Sequence, residues 1–319
     1  MSQKTGGKKV VVIGAGQVGA SVAYCAAIQQ LCSELVLVDV NQEKAEGEAM
    51  DIAHGLPFLG EMDIYAGGYE SVKDADLIII TAGAARKPGE TRLDLAAKNC
   101  RIAKSMTESI MAHYNGGVLL VVANPVDILT LKIQQWSGLP RERVIGSGTA
   151  LDTIRFRYLL GKTLDVDVTN VHAYILGEHG DTQFPLWSKV GIGGISLDEY
   201  LEASGQTLDS ETRARIAHET KTAGAEIIKR KGATFNGVAV STCTIAKSIL
   251  RDSSTIRPVG CVLQGEFGLH DVVISVPAVL SKHGIERILP FGIEGEEKEA
   301  LLRSAQKMKD TVIEIGEIN

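Results

Sequence analysis

Residues 9–19 read KVVVIGAGQVG, a short β-branched run that opens into Gly14, Gly16 and Gly19 at GxGxxG spacing. Each glycine answers a physical need. One permits a tight turn, one lets backbone approach a pyrophosphate, and one lets the following helix pack close to the strand. The helix N-terminus then offers free N–H groups and a positive dipole end to the phosphates. With Gln17 and Val18, these glycines make up the candidate phosphate-binding turn. An incidental Gly-rich turn gives the same bare pattern, so its surroundings decide. Here a strand over residues 10–13 precedes it and a small-residue helix over residues 15–30 follows. A second β-branched run, residues 35–38, ends in Asp39, twenty residues beyond Gly19. A carboxylate there accepts hydrogen bonds from both ribose hydroxyls and repels a 2′-phosphate, which favours NAD over NADP.

Beyond Asp39 the same alternation continues. Asn41 caps an expected helix running to about residue 54. Residues 77–80 and 118–122 read as buried strands, with helical spacing over residues 93–114 between them. Apolar runs separated by helices predict a parallel sheet covered on both faces. The second half has a different rhythm. Helices are expected over residues 151–160, 210–230 and 236–250. Antiparallel strands are expected over residues 259–263 and 272–276, on either side of QGEFGLHD, and an amphipathic helix over residues 296–315. The predicted fold class is α/β. An N-terminal Rossmann doubly wound parallel sheet, residues 1–146, is followed by a C-terminal α+β substrate domain, residues 147–319.

Composition narrows the possible functions. The 319 residues are 45% hydrophobic and 23% charged, values of a folded globular chain. A formal charge of −6 and 5% aromatic content argue against nucleic-acid binding. The five cysteines are scattered without CxxC spacing, so neither a disulfide framework nor a metal site is expected, and a reducing compartment fits. No apolar run nears the roughly 20 residues of a membrane span, and the polar N-terminus MSQKTGGKK lacks the apolar core of a signal peptide. The expected location is the cytoplasm.

Four segments carry candidate chemistry. Residues 170–181, NVHAYILGEHGD, hold His179 between Gly177 and Gly180. Residues 148–157, GTALDTIRFR, hold Asp152 and Arg155, which share one helix face at a spacing of three. A carboxylate beside His179 would fix its tautomer and stabilise imidazolium. An arginine beside them would clamp a substrate carboxylate with paired hydrogen bonds. Taken alone, Asp152 and Arg155 also read as a surface ion pair. The segment TAGAARKPGETRLDL, residues 81–95, follows a strand at the carboxyl edge where ligands bind. It reads as a mobile loop that brings Arg86 and Arg92 over a small anion, or as a solvated basic loop. In VVANPVD, residues 121–127, Asn124 ends a strand where its amide orients a carbonyl or cofactor.

These segments together resemble the lactate/malate dehydrogenase family along essentially the whole chain. The matching motifs are GAGQVG, TAGA-RKPGETRLDL, ANPVDIL, GSGT-LDT-RFR, GEHGD and KGAT. Ser147-Gly148-Thr149, Leu93 after Arg92, and Thr234 in KGAT look like the bacterial lactate branch. The resemblance implies reversible hydride transfer between NADH and pyruvate. It makes His179 the proton donor and acceptor, Asp152 its partner, and Arg155 the binder of the substrate carboxylate. Arg92 would polarise the reacting carbonyl, and Asn124 and Thr234 would contact substrate. Thr81, Ala82, Gly83, Val122 and Asn124 would line the cofactor. In related bacterial enzymes, residues matching Arg157 and His172 form a fructose 1,6-bisphosphate site between subunits of a homotetramer.

One residue points the other way. Arg86 lies six before Arg92, where the lactate branch commonly has Gln and the malate branch Arg. An arginine there would pair with a second substrate carboxylate, as in oxaloacetate. Glu90, Leu93 and Thr234 keep the lactate-type surroundings, so pyruvate is the expected main substrate, with measurable oxaloacetate reduction. The alternatives are a lactate-dehydrogenase-like malate dehydrogenase and a non-catalytic NAD-binding structural or sensor protein.

Overall fold

The computed structural model describes residues 7–84 and 89–316 of the chain. The first half alternates as expected. It contains β1 (Lys9–Ile13), α1 (Gln17–Ile28), β2 (Glu34–Val38), α2 (Gln42–Gly55), β3 (Asp63–Ala66) and β4 (Leu77–Ile80). Next come α3 (Arg92–Met111), β5 (Val118–Val121), α4 (Val126–Ser137) and β6 (Val144–Gly146). The six strands lie parallel in the spatial order β3-β2-β1-β4-β5-β6. Every residue of β4 (LIII) and β5 (VLLV) is buried, because helices cover both faces of the sheet. The order reverses between β1 and β4, and ligands bind at the carboxyl ends of strands at such a point.

The first helix begins two residues later than its sequence suggests, with Gly16 as N-cap. Two glycines in this turn are dictated by geometry. Gly14 has φ +104°, a conformation that side chains resist. A Cβ on Gly19 would sit 1.7 Å from the Gly14 carbonyl oxygen, so only glycine lets α1 approach β1 this closely.

The second half begins with α5 (Ala150–Leu164). Short strands follow: β7 (Val171–His172), β8 (Ile175–Leu176), β9 (Phe184–Pro185), β10 (Gly191–Ile192) and β11 (Ile195–Ser196). Then come α6 (Leu197–Ser204), α7 (Ser210–Lys231), α8 (Asn236–Leu250), β12 (Thr255–Gln264), β13 (His270–Ser281), β14 (Gly284–Ile288) and α9 (Gly295–Ile315). Strands β12 and β13 pair antiparallel, as expected, but run longer than their apolar centres. The sheet does not stop at residue 146. Gly260 of β12 pairs with Gly146 of β6, so β12, β13 and β14 extend the parallel sheet into one of nine strands. A second, smaller core around Phe156, Leu160, Val171 and Ile216 binds α5 and α7 to the short strands.

Candidate active site

The turn after β1 is held from three sides. Gly14 N–H donates to the Val38 carbonyl at 2.7 Å. The Thr81 hydroxyl donates to the carbonyls of Gly14 (2.9 Å) and Ile13 (3.1 Å). Asp39 accepts from Ala15 N–H at 2.6 Å through one oxygen and from Asn41 N–H at 2.9 Å through the other. Asp39 therefore braces the turn. A Cβ on Gly16 would meet nothing within 4 Å, and no side chain caps the first turn of α1. First-turn N–H groups without a side-chain cap, those of Gln17 and Val18 among them, suit an anionic pyrophosphate. The fit to a dinucleotide therefore rests on an open, positive cradle with a carboxylate beside it. Thr81 serves this site by shaping the turn.

A second anchor emerges at Asn99 on α3, which the sequence reading did not single out. Its buried amide accepts from Ala84 N–H at 2.8 Å and donates to the Asn124 carbonyl at 2.7 Å. It thus ties the strand-end segment Thr81–Gly83 to the segment of Val122 and Asn124. Val122 is buried, its N–H bonded to Ile80, while the Asn124 side chain is exposed.

The chemical centre is built by elements distant in sequence. Buried Thr149, the N-cap of α5, and buried Thr153 within it grip β8: Thr149 donates to the Ile175 carbonyl at 2.5 Å and Thr153 accepts from Ile175 N–H at 2.9 Å. The chain leaving β8 is then pinned residue by residue. Gly177 N–H donates to the Ser275 carbonyl, Glu178 N–H to the Ser304 hydroxyl at 2.7 Å, and His179 N–H to Asp127 Oδ2 at 2.6 Å. This placement sets His179 Nδ1 against Asp152 Oδ2 at 2.7 Å. The other oxygen of Asp152 accepts from Arg155 Nη1 at 2.9 Å. The predicted trio is one connected group, and the surface-pair alternative for Asp152 and Arg155 is excluded, because Asp152 is only 2% exposed.

The charges of this group are mutually dependent. Burial pulls the His179 pKa down, but the charge and hydrogen bond of Asp152, helped by Asp127, outweigh it and hold imidazolium above its ordinary range. Burial pushes the Asp152 carboxyl up, but His179, Arg155 and a Gln183 hydrogen bond hold it below the usual carboxylate range. Asp127 lies in the quoted VVANPVD segment, yet it had no role in the sequence reading. It is buried, and burial pushes its carboxyl up to about 7 against the opposing pull of His179. Its Oδ1 has no partner among the described residues.

The remaining candidates lie around this centre. Arg92 is the first residue of α3, a helix that Thr91 and Asp94 cap reciprocally. Its guanidinium, 76% exposed, reaches Asp181 at 2.6 Å, so it faces the His179 segment from across the opening. Arg86 lies outside the described residues. Thr234 is half-buried just before α8, whose Gly237 packs against Leu151 on α5, next to Asp152. Arg157 points away from Arg155. Its Nε donates to the Ala173 carbonyl at 2.9 Å and its guanidinium stacks over Tyr174. His172 on β7 is exposed. Arg257, which the sequence reading did not select, joins them with its Nε buried and unpartnered among the described residues.

Comparison with known proteins agrees along the chain. Residues 8–146 match the family described as "lactate/malate dehydrogenase, NAD binding domain". Residues 149–318 match "lactate/malate dehydrogenase, alpha/beta C-terminal domain". The L-lactate dehydrogenase of Priestia megaterium is 48% identical over 304 residues, covering 95% of each chain. That of Lacticaseibacillus casei is 43% identical over 302 residues, covering 95% of this chain and 92% of its own. Among solved structures, the L-lactate dehydrogenase from Clostridium thermocellum is 52% identical with a TM-score of 0.87, covering 97% of this chain and 100% of its own. The ligand-bound minor L-lactate dehydrogenase from Enterococcus mundtii is 42% identical with a TM-score of 0.93, covering 96% and 98%.

Proposed function

The chain belongs to the lactate/malate dehydrogenase family, with NAD as cofactor, and from that premise we propose that it reversibly reduces pyruvate to L-lactate. We assign NAD binding to residues 1–146 and substrate binding to residues 147–319. The observation that carries the reading is the His179–Asp152–Arg155 group, one buried carboxylate holding both an imidazole and a guanidinium.

Reduction places a hydride on the keto carbon and a proton on its oxygen. Bound NADH supplies the hydride. Asp152 holds Nδ1 of His179, so Nε2 is the ring nitrogen free to give its proton to the carbonyl oxygen. Arg155 gives one N–H to Asp152 and keeps the rest of its fork for the substrate carboxylate, which aligns the keto carbon. Arg92, exchanging Asp181 for substrate, stabilises charge growing on the oxygen. Asn124 and Thr234 contact substrate, and Gly14, Gly16, Gly19, Asp39 and Gly83 shape the cofactor path. In the reverse direction His179 accepts the proton. Asp127 acts through His179 as a positioning residue, because it fixes the main chain that carries the imidazole.

Three finer assignments complete the proposal. Arg86 reads the group on the far side of the keto carbon, so oxaloacetate is a secondary substrate. The cluster of Arg157, His172 and Arg257 binds fructose 1,6-bisphosphate between subunits of a homotetramer. The enzyme works in the cytoplasm; among the described residues no helix is long and apolar enough to cross a membrane.

The test follows NADH absorbance with pyruvate. The wild type should consume NADH, and His179→Asn should bind NADH yet turn over at least roughly 100-fold more slowly, as expected for loss of a general acid. Turnover near wild type in that variant would overturn the assignment. No turnover in the wild type would favour a non-catalytic NAD-binding protein.

A further inference from the structure

Helices α1 and α8 pack together through small side chains. Ala23, Ala26 and Ala27 are buried on α1, and Ala239 and Ala246 on α8. Two thiols, neither used by the dehydrogenase chemistry, lie in this seam: Cys25, half-buried, and Cys243, buried. Cys243 Sγ is 3.5 Å from the Val22 carbonyl oxygen. Val22 lies one helical turn before Cys25, so Cys243 stands beside the Cys25 side chain. Gln29 Nε2 donates to Cys25 Sγ at 3.0 Å.

From this arrangement we propose that Cys25 and Cys243 form a peroxide-reactive pair that closes into a disulfide between α1 and α8. The site goes beyond the dehydrogenase reading and stands without it. Its selectivity comes from the surroundings of each sulfur. The neighbouring Cys243 thiol, opposed by burial and aided by Gln29, holds the Cys25 thiol below its ordinary range, which favours the reactive thiolate. Burial pushes Cys32 up to about 12 and Cys100 up to about 11, and raises Cys261 as well. Cys25 is the one thiol among the five that is not buried.

The chemistry balances with hydrogen peroxide as oxidant. The Cys25 thiolate attacks one peroxide oxygen, the O–O bond breaks, and the departing hydroxide takes a proton to become water. Cys25 is now a sulfenic acid. The Cys243 sulfur, giving up its proton, attacks the Cys25 sulfur; the S–O bond breaks and hydroxide leaves as a second water. In total, two thiols are oxidised to one disulfide and one peroxide is reduced to two waters. The bond ties the helix that opens on the phosphate turn to the helix that follows Thr234. It closes a loop of roughly 220 residues, which restrains the unfolded chain.

The experiment treats the whole protein with equimolar hydrogen peroxide, quenches with catalase, and maps peptides without reduction. Expected are a Cys25–Cys243 cross-linked peptide two hydrogens lighter than its parts, loss of two titratable thiols, a raised melting midpoint, and reversal of all three by dithiothreitol. Cys243→Ala should leave Cys25 as a sulfenic acid trapped by dimedone, with no cross-link, and Cys243→Ser carries the same test if the alanine variant is unstable. The proposal fails if wild-type Cys25 is trapped by dimedone as fully as in the variant. It also fails if Cys25 stays reduced while other thiols oxidise.

Discussion

Asp127 is the residue where charge and placement at the catalytic centre separate. Asparagine there keeps an acceptor for the His179 N–H but removes a negative charge. The groups facing this pair are Asp152 and Arg155 on α5, Glu178 in the same segment, and Cys261 on β12. Pyruvate reduction needs imidazolium, so kcat/KM is flat at low pH and falls as pH rises through the elevated His179 pKa. Removing the Asp127 charge lowers that pKa. In Asp127→Asn the alkaline limb should therefore move toward acid, by less than about one unit for a single neighbouring charge, with NADH affinity unchanged. An active variant whose limb stays in place would contradict this role. At this scale the sequence is uneven. His179, Asp152 and Arg155 are legible because GEHGD and LDT-RFR resemble family motifs; spacing alone left Asp152 and Arg155 open to a surface pair. Asp127 and Asn99 are not, because an acid in a first helical turn reads as an ordinary answer to the helix dipole, and an amide inside a helix carries no signal of what it will bridge.

The decisive element is α5, whose threonines hold β8 and so deliver Asp152 to His179. Thr153→Val keeps the shape but leaves the buried Ile175 N–H without its acceptor, a cost of about 1–3 kcal/mol. A lower urea midpoint should accompany a reduced kcat, while NADH binding stays normal. A stability loss with unchanged kcat would show that α5 is held some other way. The long elements were readable in sequence from their apolar period. Helix α8 matches its predicted bounds, and α7 extends one residue further. The two-residue strands β8 and β9 were not, since a period cannot show in so short a run. The start of α3, expected at residue 93, lies at Arg92. The cap at Thr91 sets that start, and Arg92 faces Asp181 from it.

Across the whole molecule, both halves share one sheet through a single pairing of Gly146 with Gly260. No local pattern announces such a joint, so the sequence does not reveal that strands of the second half extend the sheet of the first. On the second half, Arg157 and Arg257 gather near Tyr174, and burial pulls both arginines below their ordinary range. A bound bisphosphate would relieve that cost. Adding fructose 1,6-bisphosphate should lower the half-saturating pyruvate concentration in the wild type and not in Arg157→Gln. No effect on the wild type, or an equal effect on both, would remove the site. The central claim concerns what the assembled pocket accepts, and comparative steady-state kinetics on pyruvate and oxaloacetate tests it most directly. The account predicts a higher kcat/KM for pyruvate, with oxaloacetate reduced measurably through Arg86. A preference for oxaloacetate on the order of 100-fold, the discrimination that a paired second carboxylate supplies, would contradict it and make the chain a malate dehydrogenase.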